Sequence, residues 1–202
     1  MAKRPIEPEL AANIRQLQEQ LEIGPKNFDI GRRDIRILGR RCGIWYTNSL
    51  TDGSIVAVLM REFMRLTNNN ERIDDVFAEI KQHLVHYQVE ELTTLDDLVD
   101  KMLTGRLVLL IDGETIGLCV DLRHYPGRQP EEPDVEKVVR GAKDGFTENV
   151  IENSGLIRRR LRDPRYRCEL MQIGVRSKTD VCLCYLKDVV NPVSYTHLRA
   201  HE

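Results

Sequence analysis

The chain has 202 residues, 41% hydrophobic and 31% charged, with a formal net charge of −2. These proportions suit one ordinary soluble domain or two small lobes. The near-zero charge gives no general attraction to nucleic acid or anionic membrane, and no apolar run reaches the roughly 20 residues needed to span a bilayer.

The opening "MAKRPIEPEL" lacks the apolar core of a secretory signal. Ile6, Leu10, Ile14, Leu17 and Leu21 recur at helical spacing, which predicts an amphipathic helix ending near Gly24. "RDIRILGRRCGIWYTNSL" reads as two strands, about 33–38 and 42–48, turning at Gly39. Ile55, Leu59, Phe63 and Leu66 form the stripe of a second helix, capped by Thr51 or Asp52. Ile73, Val76, Phe77, Ile80 and Leu84 form that of a third.

"VEELTT" is a short strand candidate. The helix of "TTLDDLVDKMLTG" follows it, with Thr94 and Asp97 as a capping box and Gly105 as its stop. "RLVLLIDGETIGLCVDL" reads as a hairpin turning at Asp112–Gly113, and its run "LVLLI" suits a strand covered on both faces.

"RHYPGRQPEEPD", residues 123–134, is then rich in proline and charge. The period after it is helical, with Phe146, Val150, Ile157 and Leu161 as the buried face, Gly141 and Gly145 as breaks and Asp163–Pro164 as the stop. Two more strands, "RCELMQIG" and "DVCLCYLKDVV", are joined by a polar turn. "SYTHLRAHE" at the end has no apolar period, resembles a translated vector tail and is set aside from the fold.

The expected fold is α/β, with two small lobes, each a mixed sheet flanked by helices. An N-terminal helix (1–24) precedes a first lobe (25–122), a connector (123–134) and an incomplete second lobe (135–192), with 193–202 as a non-native tail.

Candidate chemistry is sparse. Five scattered cysteines, Cys42, Cys119, Cys168, Cys182 and Cys184, argue against a secreted disulfide scaffold. Cys182 and Cys184 would share one strand face and are read as small buried hydrophobes. "GVRSKTD" lacks the glycine that a P-loop places before its lysine, and "RGAKDGF" lacks a dinucleotide fingerprint. His83 and His86, with Glu79, are read as solvated helix residues and His197 and His201 as tail residues, so no metal or other cofactor is assigned. No catalytic constellation stands out, and the chain is not read as an enzyme. "RRRLRDPRYR" packs six arginines into residues 158–167, a solvated helix end or an anion or docking face. Pairing of these arginines with Glu131, Glu132 and Asp134 would tie the connector to the helix.

"YPGRQPEEPDVEKVVRGAKDGFTENVIENSGLIRRRLRDP", with "GVRSKTDVCLCYLKDVVNP", resembles the N-terminal soluble domain of the GerA spore germination family, nearest to its stage V sporulation protein AF branch. The resemblance is dense over residues 106–192 and looser over 25–105. It falls on Tyr125, Pro126, Gly127, Arg128 and Pro130–Asp134, then on Arg140, Gly141, Asp144, Gly145 and Phe146. It continues on Arg158–Arg160 and Arg176–Thr179. The family pattern runs on past "NP" into more α/β structure and then a membrane domain, where this chain enters its foreign-looking tail.

The resemblance implies a non-enzymatic sensor or assembly domain on the cytosolic, spore-core side of the spore inner membrane, acting in germinant signalling or ion release. It implies other germination membrane proteins as partners, a homo-oligomer formed through a membrane domain, and a small-molecule germinant as a ligand; nucleic acid is not expected. Residues set down for ligand or interlobe contacts are Arg123, Tyr125, Arg128, Glu131, Glu132 and Asp134 in the connector. Arg140, Asp144, Arg158, Arg159, Arg160, Arg176 and Lys178 complete the set. Two other readings stand beside this one: a soluble anion- or nucleotide-binding enzyme, and an arginine-rich protein-docking module.

Overall fold

The structure is a computed structural model, and it describes residues 3–68, 75–84, 87–124 and 145–199. The described elements run α1 (Leu10–Leu21), β1 (Ile30–Ile37), β2 (Arg40–Thr47), α2 (Gly53–Asn68), α3 (Val76–His83), β3 (Val89–Leu92) and α4 (Leu95–Leu103). They continue with β4 (Leu107–Ile111), β5 (Gly117–Val120), α5 (Val150–Arg160), β6 (Tyr166–Ile173), β7 (Thr179–Leu186) and α6 (Pro192–Arg199).

Five strands form one sheet in the order β1-β2-β4-β5-β3, and β6 with β7 forms a second. The expected α/β class is present, and the pairs between named strands are all antiparallel among the described residues. The run "LVLLI" supplies the centre of the five-stranded sheet. Leu107, Leu109 and Ile111 face α2 and α3, while Val108 and Leu110 face α1 and α4, so β4 is buried along its whole length. Period-two alternation in a strand covered by helices on both faces requires such a run.

Local chemistry sets the element ends. Leu38 and Gly39 both take positive φ and close the β1–β2 hairpin in two residues. The Asp52 carboxylate accepts from the Ser54 and Ile55 amides at the start of α2. Thr94 Oγ1 accepts from the Asp97 amide, the forward half of the expected capping box, and donates to the Asp97 carboxylate. Gly105, at φ +95°, ends the turn after α4.

The structure corrects two readings. The β4–β5 connection spans residues 112–116, so Asp112–Gly113 opens a longer loop instead of closing a two-residue turn. Phe146, expected in a buried helical face, is 72% exposed and precedes α5, which starts only at Val150 behind an Asn149 cap. The sides of α5 that are buried are Ser154, Gly155 and Arg158, while Val150, Ile157 and Leu161 are half-buried. Residues 125–144, with most of the connector and the expected break at Gly141, lie outside the described residues. The stretch set aside as a tail contributes to α6, where Tyr195 donates to the Glu169 carboxylate of β6.

A buried clasp as the candidate functional site

The second sheet meets the first on the segment between α1 and β1. Asn27 bridges Cys168 of β6 in parallel fashion, and the Phe28 amide donates to the Cys168 carbonyl at 3.0 Å. Over this junction lies Arg158. Its Nε donates to Asp29 Oδ2 at 2.8 Å and its Nη2 to Asp29 Oδ1 at 3.2 Å, a two-pronged pair. Both side chains are 0% exposed. The remaining guanidinium hydrogens reach the Asp163 carbonyl and Asn27 Oδ1. The Tyr166 ring lies under the guanidinium, 4.3 Å from centroid to Cζ.

An arginine can lie flat here because α5 keeps its contact face small. A Cβ on Gly155 would come within 2.9 Å of Ser49 Cβ and 3.0 Å of the Ser49 carbonyl oxygen. The helix therefore sits directly on the loop after β2, and Arg158, one turn on from Ser154, drops onto Asp29.

Arg167 makes a parallel tie. Its Nε donates to Glu22 Oε2 at 2.6 Å, and its Nη2 donates to the Gln20 carbonyl in the last turn of α1. Glu22 is the left-handed cap of that helix and also meets Lys187. The hydrogen bond from Arg167 holds the Glu22 carboxyl below the ordinary glutamate range. Two buried arginines of the second unit thus grip one ten-residue receiver in the first.

Of the residues set down from sequence that the structure describes, only Arg158 sits in this clasp. Arg159 and Arg160 point outward at the end of α5. Arg123 pairs with Asp121 at 2.6 Å and bridges Thr51, fixing the chain as it leaves the first sheet. Arg176 and Lys178 occupy the β6–β7 turn, where Gly174 and Lys178 have positive φ. That turn lies the length of an eight-residue strand from Tyr166, on the order of 25 Å, so these two cations do not join Arg158 in one site. "GVRSKTD" leads from strand to strand, whereas a P-loop leads into a helix. Tyr125, Arg128, Glu131, Glu132, Asp134, Arg140 and Asp144 lie outside the described residues, and with them the expected connector–arginine pairing. Arg158, at least, is committed to Asp29. His83 Nδ1 donates to the Glu79 carbonyl within its own helix, and His86 lies outside the described residues.

Sequence reasoning missed Asp29, Asn27, Glu22 and Arg167. It also missed that Cys168 joins Cys182 and Cys184. Cys168 and Cys184 are cross-strand partners and Cys182 is diagonal to Cys168, so all three thiols share the hairpin face beside the clasp. Their Sγ separations are 3.0, 3.7 and 3.6 Å. The only available signal was period two: Cys168, Cys182 and Cys184 fall on even positions of two strands whose register the sequence does not reveal.

Comparisons with known proteins agree with this fold. The model of the Bacillus/Clostridium GerA spore germination protein family matches residues 15–200. Stage V sporulation protein AF of Bacillus subtilis (strain 168) is 42% identical over 182 residues, 90% of this chain and 37% of that protein. Spore germination protein GerLA of Bacillus cereus is 30% identical over 192 residues, 91% of this chain and 38% of that protein. The chain therefore spans little more than a third of the length of these relatives. The crystal structure of the N-terminal domain of the A subunit of the Bacillus megaterium spore germinant receptor GerK3 shares its fold, with a TM-score of 0.74 at 22% identity, over 99% of this chain and 73% of that one. With the family model spanning nearly its whole length, the chain belongs to the GerA family of spore germination proteins.

Proposed function

We propose that this chain is a non-enzymatic head domain of a spore inner-membrane germination protein, and that its two sheets act as one relay held by the Arg158–Asp29 clasp. The buried ion pair is the observation that carries this reading. Such a pair adds little net stability over an apolar contact, but it penalises every arrangement that separates the charges. A domain that passes a signal between partners needs such a fixed joint. Family membership supplies the germination setting, and the relatives' greater length leaves room for further segments.

In this reading the domain faces the spore core, and its partners are other germination membrane proteins, with self-assembly through segments outside this chain. The role lies in germinant signalling or in the ion release that follows. Among the described residues no helix is long and apolar enough to cross a membrane. The test uses spores carrying the full-length protein. Arg158→Ala should slow germination at matched protein abundance, and the charge-swapped pair Asp29→Arg with Arg158→Asp should recover part of the rate. Wild-type germination with Arg158→Ala at normal abundance would contradict the relay.

A further inference from the structure

The three thiols on the β6–β7 face are the cluster that the clasp does not use. They come from three positions on two strands, and the Sγ atoms of Cys168, Cys182 and Cys184 all lie within 4.8 Å of one another. We infer that Cys168, Cys182 and Cys184 form a three-thiolate site for a thiophilic metal ion of the zinc class.

The geometry fits such an ion. A zinc–sulfur bond of about 2.3 Å at tetrahedral angles separates neighbouring sulfurs by about 3.8 Å. Two of the three separations, 3.7 and 3.6 Å, already stand near that value, and the 3.0 Å contact between Cys168 and Cys182 has only to open. The backbone is preset, because Cys168 and Cys184 are register partners on paired strands. Access is preset as well: Cys168 is buried, while Cys182 and Cys184 of β7 are partly exposed, so solvent reaches the cluster from the β7 side. Three protein ligands leave a fourth position for solvent or another donor.

The Tyr166 hydroxyl is buried beside the sulfurs of Cys168 and Cys184. On binding, the ion takes the place of the thiol protons, which leave to solvent. Because Tyr166 lies against both the cluster and the Arg158 guanidinium, an ion here would stiffen the joint between the sheets.

The experiment titrates the reduced 202-residue chain with Co(II) under anaerobic conditions and then displaces it with Zn(II). We expect a thiolate-to-cobalt charge-transfer band that saturates at one equivalent, is abolished by zinc, and is lost in Cys182→Ser and in Cys184→Ser but kept in Cys119→Ala. Mass spectrometry after alkylation supplies a readout that needs no variant: zinc should protect Cys168, Cys182 and Cys184 together. Absence of the band in folded wild-type chain, retention of it in both serine variants, or alkylation of the three thiols unaffected by zinc would each overturn the site.

Discussion

Arg158 and Asp29 are charges taken wholly out of water, and each is tolerable only because the other is there. The guanidinium's fork matters as much as its charge. Arg158→Lys keeps the charge but loses the second bond to Asp29, the bond to the Asp163 carbonyl and the stack on Tyr166. It should cost on the order of 2 kcal/mol in urea unfolding; a loss too small to measure would show that the fork is dispensable. Glu22 gives a pH signature. Its folded pKa lies below the ordinary value of 4.5, so its contribution is complete above that value and is lost as pH falls through the folded pKa. Glu22→Gln should lower stability at neutral pH and flatten the acid side of the stability–pH curve. An acid limb identical to wild type would contradict the Arg167–Glu22 tie. None of this pairing was legible in the sequence. Asp29 stands between Phe28 and Ile30 with no motif around it, and its partner is 129 positions away.

At the scale of elements, what could be read was what local chemistry dictates. The Thr94–Asp97 box, the Gly105 stop and the doubly covered "LVLLI" strand all follow from residues within a few positions of one another. The buried face of α5 did not, because apolar periodicity points to Ile157 and Leu161 while the contact uses Ser154, Gly155 and Arg158. Small residues carry no hydrophobic signal, yet they allow the close approach. Gly155→Val tests that approach. The added side chain would meet Ser49, including its carbonyl oxygen at 3.0 Å from Cβ, and neighbouring backbone yields poorly. We expect a loss of about 1–3 kcal/mol, read as a lower unfolding midpoint. An unchanged midpoint would mean that α5 does not rest on the Ser49 loop. The order of strands in the five-stranded sheet and the meeting of three cysteines were likewise illegible, since both depend on pairing and register between strands distant in sequence.

For the whole molecule, the two sheets are joined through one short receiver, residues 20–29, gripped by Arg158 and Arg167 and stitched by the Phe28–Cys168 backbone bond. The family could be recognised from the long motifs of residues 106–192, while the joint that gives the domain its shape uses Asp29 and Glu22, far outside that dense stretch. The most direct test of the clasp is a double-mutant cycle on urea unfolding with Asp29→Ala, Arg158→Ala and the pair. The account predicts that each single change costs about 3–5 kcal/mol and that the double variant costs less than their sum by about 2 kcal/mol or more. Additivity to within about 0.5 kcal/mol would mean that the two residues act independently, and the buried pair would not be what holds the sheets together.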